Sequence, residues 1–388
     1  MPAAGHKDLT LIDLVAAAKA RDPQGIALVH EGDETTYHDL LIRSNRLAAG
    51  LRQKGIRSGD RIAIWLANRP DWLVWLLACA RIGVIAVAVN TRFRSAEIAD
   101  ILDRCQITGL VYEPGFKGID FSGILGEVSP SNRSALKLIA TVGPEGRQGE
   151  NVTPATDLEI ETLQEIRDGR ANDGLIVFTT SGTTSKPKFV LHEQRSLTIH
   201  AQEVAHAFEY SRQRTVLLQA LPLCGTFGLA QMLAGLAGGC RSVLLPVFDA
   251  NLALDLIRHH QITNFNGPDG MMAQIADHAR DGDLDSVKWC GFAAFSEAEP
   301  VDFVRRCAER GLTLAGLYGM SETQALFARQ PIEASLERRA LAGGNLTSPH
   351  ASVSLRDPHP GEELDDGQSR AVSLNGPTQD RDNLANPS

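Results

Sequence analysis

The residues best equipped for chemistry lie in one run, Thr179-Thr180-Ser181-Gly182-Thr183-Thr184-Ser185-Lys186-Pro187-Lys188. Six of the ten carry a hydroxyl, and each hydroxyl, like each backbone N–H, can donate to a phosphate oxygen. Lys186 and Lys188 add positive charge, and Gly182 lets the backbone approach a ligand closely. A loop of this composition leaving a strand suits a polyphosphate. It is not the G-x-x-x-x-G-K-S/T loop, because Gly182 has no matching second glycine. The same composition also suits a polar surface loop with no ligand, and composition alone does not choose between them. Far downstream, Tyr318-Gly319-Met320-Ser321-Glu322-Thr323 places a carboxylate after a turn. Mg²⁺ is often held by few carboxylates together with substrate phosphates, whereas a lone glutamate after a turn is usually a solvated charge.

The elements that must position these residues alternate between strand and helix. Ala27–Val29, Arg61–Trp65, Gly109–Tyr112 and Gly174–Thr179 read as strands, as do Thr215–Leu218, Ser242–Leu245, Asn264–Asn266 and Thr313–Leu317. Thr36–Lys54 reads as a helix with Leu40, Leu41, Leu47 and Leu51 on one stripe. Another starts with Ser95 as N-cap and repeats apolar residues at Ile98, Ile101, Leu102 and Cys105; Leu252–His260 and Pro300–Arg310 follow. This alternation predicts an α/β fold with a mostly parallel sheet covered by helices. The run Trp72–Val89 is apolar enough to raise the question of a membrane span. Arg81 in its middle argues instead for a buried helix, then Gly83, then a buried strand. Beyond Arg356 the chain is rich in Asp, Asn, Gly, Pro and Ser, with Ala371–Leu374 as a strand candidate.

A length of 388 residues exceeds what one core usually organises, so two or three packed subdomains are expected. Their approximate spans are 1–170, 171–340 with the hydroxyl-rich run, and a β-rich 341–388. A net charge of −9 argues against a nucleic-acid partner, which needs Lys and Arg against phosphates. The six cysteines form no C-x-x-C pair and read as reduced thiols, which fits a cytoplasmic location.

The hydroxyl-rich run resembles the signature of the adenylate-forming superfamily of acyl-CoA synthetases, luciferases and peptide-synthetase adenylation domains, approximately Y/F-T/S-S-G-T/S-T-G-x-P-K-G-V. Thr180, Ser181, Gly182, Thr183, Thr184, Pro187, Lys188 and Val190 match in register. Ser185 and Phe189 stand where the family has glycine, a change expected to stiffen the loop. Tyr318 to Glu322 resembles Y-G-x-T/S-E, and Gly291-Phe292-Ala293-Ala294 occupies the place of G-G-A-P. Leu221-Pro222-Leu223-Cys224-Gly225-Thr226 resembles a segment that carries an aromatic residue and a histidine where Cys224 and Gly225 stand here. Gly59–Ala63 and Val89–Phe93 extend the resemblance over most of the chain.

The resemblance implies two helix-flanked, mostly parallel sheets packed together, with a small distorted β-barrel. It implies activation of a carboxylic acid by ATP to an acyl-adenylate, then transfer to a thiol, CoA or a carrier protein; a non-catalytic binding homologue is the alternative from another class. Thr180 to Thr184 and Lys188 would hold the phosphates, with Thr183 and Lys188 acting at the reacting centre. Gly291, Phe292, Ala293, Tyr318, Gly319 and Ser321 would surround the nucleotide, and Glu322 would bind Mg²⁺. Cys224, Gly225, Thr226, Asn266, Gly267 and Met320 would line a pocket for an aryl or medium-size acyl acid. Cys224 reads as a small wall residue rather than a nucleophile, and neither His192 nor Gln194, where the family often has histidine, is assigned catalysis. A homodimer is a possible assembly. The superfamily continues with an aromatic-R-T-G-D motif and a small domain bearing a lysine, which this sequence lacks; it is therefore expected to bind acid and nucleotide better than it turns them over.

Overall fold

The computed structural model describes residues 8–143, 152–180, 188–212, 214–295, 299–356 and 371–375. β1 (Ile26–His30) and β2 (Asp33–Thr36) form a hairpin. β3 (Arg61–Trp65), β4 (Ile85–Ala88), β5 (Gly109–Tyr112), β6 (Leu138–Thr141), β7 (Val152–Pro154), β8 (Gly174–Thr180) and β9 (Lys188–Glu193) build one sheet in the order β7-β6-β5-β3-β4-β8-β9. Its ladders are parallel except where β8 meets β9. β10 (Val216–Gln219), β11 (Arg241–Leu244), β12 (Asn264–Pro268), β13 (Trp289–Ala293), β14 (Leu314–Tyr318), β15 (Ala328–Arg329) and β16 (Asn345–Leu346) join the hairpin in the second sheet. Its order is β16-β15-β14-β13-β12-β10-β11-β1-β2, parallel from β14 to β1 and antiparallel at both ends.

Alternation along the strands explains the layering. In β3, Ile62 and Ile64 join the apolar cluster between the sheets, while Ala63 and Trp65 join a cluster on the outer face. In the second sheet Leu244 faces inward and Val243 outward. Both faces of each sheet are covered by helices, so the strands read as nearly continuous apolar runs. The central layer contains the helices Leu11–Arg21, Tyr37–Gln53, Pro70–Ile82, Gln194–Ala207 and Thr226–Gly238. The result is a stack of helix, sheet, helix, sheet and helix.

Pro70–Ile82 shows how sequence becomes position. Every residue from Trp72 to Ile82 is buried, Arg81 included, and Gly83 ends the helix in the left-handed region at φ 67°. The guanidinium of Arg81 donates to Ser44 Oγ at 3.1 Å, Ile166 O at 3.0 Å and Leu41 O at 3.1 Å. That set compensates the burial of the charge. Among the described residues no helix is long and apolar enough to cross a membrane.

The elements expected from the sequence form with small shifts. Thr36 caps Tyr37–Gln53, its hydroxyl accepting from the Asp39 N–H at 3.0 Å. Ser95 is the first residue of the helix Ser95–Arg104 rather than its N-cap; Arg94 takes that place, and its N–H donates to Glu97 Oε2 at 2.9 Å. At the far end β17 (Ser352–Arg356) pairs antiparallel with β18 (Ala371–Asn375). Of the β-rich 341–388, β16 and this ladder are the strands described, and the expected barrel is not shown.

Candidate active site

A cavity of about 400 Å³ opens between the two sheets. It lies at the carboxyl ends of β8, β13 and β14 and at the start of the helix Thr226–Gly238, the region where open α/β sheets bind ligands. Phe178 and Thr179 contribute from β8, Cys224 and Gly225 from the loop after β10, and Thr226 and Phe227 from the first turn of the helix Thr226–Gly238. Ala293 ends β13 and Phe295 follows it; Leu317, Tyr318, Gly319, Met320 and Ser321 come from β14 and its exit. Ala325 and Leu326 close the wall.

Eight residues named from the sequence therefore meet here: Cys224, Gly225, Thr226, Ala293, Tyr318, Gly319, Met320 and Ser321. Others lie elsewhere. Phe292 points away, into the outer cluster, its ring 5.4 Å from that of Phe303. The Asn266 side chain stays inside the core: its amide donates to Tyr210 Oη at 3.0 Å and Gln231 Oε1 at 2.9 Å, and its Oδ1 accepts from the Gly291 N–H at 3.0 Å. A Cβ at Gly291 would meet Asn266 Oδ1 at 2.4 Å and the Leu317 methyls at 2.7 and 2.9 Å, whereas at Gly267 it would meet the movable Met271 methyl. These three support the pocket from behind; Asn266, Gly267 and Gly291 are not among its lining residues.

Ser181, Gly182, Thr183 and Thr184 lie outside the described residues. The two ends of their run are described. Thr180 pairs with Lys188 and Thr179 with Phe189 across an antiparallel ladder, and Thr179 lines the cavity. Lys188 is exposed on the first position of β9. Phe189 belongs to the strand, its ring buried in the outer cluster with the Arg104 guanidinium 4.3 Å from the ring centre.

After β14 the chain makes a tight turn. Ser321–Thr323 is one turn of 3₁₀ helix, and the Ala325 N–H donates to Met320 O at 2.9 Å. Gln324, Ala325 and Leu326 then run through the left-handed region at φ 66°, 54° and 47°. Each such residue costs roughly 1–3 kcal/mol unless its surroundings hold it there. A Cβ on Gly319 would come within 2.5 Å of Ala325 Cα, so the turn closes only over glycine. His192 in β9 brings Nε2 to 2.8 Å from Ser321 O. A carbonyl only accepts, so Nε2 carries a proton, and burial of the ring favours its neutral form. Burial pushes both His192 and His200 down to about 4, against the backbone contacts each makes. The strand that follows the hydroxyl-rich run and the turn bearing Glu322 are thus directly joined.

The aromatic mouth is accessible, with Phe295 77% and Tyr318 37% exposed. Burial pushes the Cys224 thiol up to about 11, which keeps it protonated and makes it a small wall residue. Among the described residues no three His, Cys, Asp or Glu side chains converge on a possible metal position. The half-buried Glu322 fits an ion that takes its other ligands from phosphate and water. Gln194 is structural: its amide donates to Ala80 O at 3.0 Å and its carbonyl accepts from the Leu11 N–H at 3.3 Å. Sequence reasoning missed Phe178, Phe227 and Leu317, which were legible only as strand or helix residues beside named motifs.

Two parallel-rich sheets enclosing a cleft at their strand ends, with these motifs around it, define an adenylate-forming enzyme. The chain belongs to the AMP-binding enzyme family, whose sequence profile matches residues 15–378. It is similar to the pyochelin synthase PchD of Pseudomonas aeruginosa, 26% identical over 390 residues, covering 96% of this chain and 68% of that one. It is also similar to the indoleacetate–CoA ligase of Aromatoleum aromaticum, 29% identical over 371 residues, covering 92% of this chain and 68% of that one. The solved o-succinylbenzoate CoA synthetase of Bacillus subtilis, in complex with its acyl-adenylate intermediate, superposes with a TM-score of 0.79. At 22% identity over 98% of this chain and 72% of that one, this likeness concerns the fold.

Proposed function

We propose that this protein activates an aryl or medium-size acyl carboxylic acid as its adenylate and passes the acyl group to CoA. The observation that carries the reading is the convergence of Thr179, the Tyr318–Ser321 exit and the Cys224–Phe227 helix start around one cavity. The hydroxyl-rich run binds the triphosphate, with Thr180 to Thr184 and Lys188 as donors. Tyr318, Gly319, Ala293 and Phe295 accommodate the base. Glu322 holds Mg²⁺, which neutralises charge on the phosphates when bound.

The acid lies against Phe178, Phe227, Leu317 and Met320. Its carboxylate approaches the first turn of Thr226–Gly238, which has no side-chain cap and leaves N–H groups available to an anion. A carboxylate oxygen attacks the α-phosphorus, the bond to pyrophosphate breaks, and an acyl-adenylate forms. A thiolate then attacks the acyl carbon and AMP leaves. The protein's part is positioning and charge stabilisation rather than covalent chemistry. Relatives named for indoleacetate, 2-succinylbenzoate and ferulate support an aryl acid. CoA is favoured over a carrier protein as acceptor by the same names.

The test is incubation with MgATP and a panel of aryl and acyl acids, with mass-spectrometric detection of acyl-AMP, then addition of CoA. Acyl-AMP formed with wild type and lost in Glu322→Gln is the expected result. Acid binding by calorimetry without any MgATP binding would replace this reading with that of an acid-binding homologue.

A further inference from the structure

We propose that His192 and His200 are positioning residues that hold the turn carrying Ser321 and Glu322 in its left-handed path. The strand that follows the hydroxyl-rich run, and the helix after it, would thereby set the place of the Glu322 carboxylate. The consequence for nucleotide binding rests on the function proposed above; the clamp itself does not.

Three consecutive side-chain-bearing residues in the left-handed region do not stay there by local preference. Something must hold both faces of the turn. Gly319 holds one, in backbone contact with Ala325. The other face meets two buried imidazoles: His192 Nε2 donates to Ser321 O at 2.8 Å, and His200 meets the backbone of Ala325 and Gln324. The second ring nitrogens, His192 Nδ1 and His200 Nε2, are buried with no hydrogen-bond partner among the described residues. A core position filled only for packing has no reason to bury an unpaired acceptor. The arrangement makes sense when the first nitrogen's bond to the turn is what is needed.

The same helix secures the chain beyond the turn. Glu203, one turn after His200, accepts from the Ser348 hydroxyl at 2.7 Å, and Ala207 O accepts from the Arg329 guanidinium at 2.7 and 2.9 Å. Contacts at 200, 203 and 207 lie on one helix face. Gln194–Ala207 is thus a rail along which the segment from the turn to Ser348 is fastened. Neither histidine lines the cavity, so neither touches substrate.

The test uses His192→Gln, whose amide nitrogen can stand where Nε2 stands, and His192→Leu, which fills the space without a donor. The first readout, independent of nucleotide, is hydrogen exchange of the backbone amides of 321–326. The second is the Kd for MgATP. The expected result for His192→Leu is roughly tenfold faster exchange at the turn, unchanged protection in β3 to β5, and roughly tenfold weaker MgATP binding. His192→Gln should stay within about threefold of wild type in both. Wild-type exchange in His192→Leu overturns the proposal, as does equal damage in the two variants. If His192→Leu does not fold, His192→Asn takes its place, since the shorter amide does not reach the Nε2 position. If wild type binds no MgATP, the nucleotide reading fails, and the exchange comparison alone decides the clamp.

Discussion

Gly319 and Gly225 are both glycines in the cavity wall, yet they do different work. A Cβ at 319 meets the Ala325 and Leu326 backbone at 2.5 to 2.7 Å, which cannot move cheaply, whereas a Cβ at 225 finds only Pro222 O at 3.5 Å. Gly319→Ala is expected to open the turn beside Ser321. A loss of about 2 kcal/mol in unfolding free energy, measured in urea, would be in the range of such backbone conflicts. Gly225→Ala should leave that free energy within about 0.5 kcal/mol and shift preference toward smaller acids, read by thermal shift with an acid panel. Equal stability of the two variants would contradict this account of the turn. Neither distinction is visible in the sequence, where both residues are simply glycine next to a motif.

Arg81 belongs to the scale of the helix that contains it. The sequence places a cation inside an apolar run, and the structure shows why it is tolerated: two carbonyls and a hydroxyl surround the guanidinium, and the Glu165 carboxylate lies 3.6 Å from it. Removing the cation while keeping an apolar stem takes a charged donor from each of those acceptors. Arg81→Met is expected to cost about 3 kcal/mol in urea unfolding, because buried acceptors lose charge-assisted hydrogen bonds. A loss below about 1 kcal/mol would mean that water replaces the guanidinium. Element boundaries were legible because they follow local rules. The glycine ending Pro70–Ile82 and the stripe of Leu40, Leu47 and Leu51 are set by neighbours in the chain, whereas the caps shifted by one residue: Thr36 precedes its helix and Ser95 begins its own. β9 was not legible as a strand, because Phe189 and Lys188 were read as part of the phosphate-binding motif rather than as a strand antiparallel to β8.

For the molecule as a whole, the buried histidines tie stability to pH. His192 and His200 are neutral in the fold, with burial holding each near 4, while an unfolded histidine titrates near 6.5. Between those values the unfolded chain binds more protons, so stability falls as pH drops from about 6.5 toward 4 and is untouched by these groups above 6.5. His30 and His260 are shifted the same way by burial. The expected loss is on the order of 3 kcal/mol per fully buried imidazole once titration is complete. Urea unfolding at pH 8, 7, 6 and 5 should give a plateau between 8 and 7 and a decline below. A flat profile down to pH 5 would show that these imidazoles accept protons freely in the native state.

The amino-acid sequence alone determined the class of fold, because strand–helix alternation and apolar runs are local patterns. It also carried the resemblance to the adenylate-forming superfamily, because hydroxyl, glycine and lysine spacing is written along the chain. It could not say which face of a strand a residue takes. Phe292 and Ala293 are adjacent, but only Ala293 reaches the cavity, since successive strand residues point to opposite sides. Nor could it pair His192 with Ser321, or seat Asn266 behind Gly291, because those contacts join residues far apart in the chain. Such contacts exist only when two sheets and the helices between them have packed, and that packing alone decides which polar atoms are left facing the site.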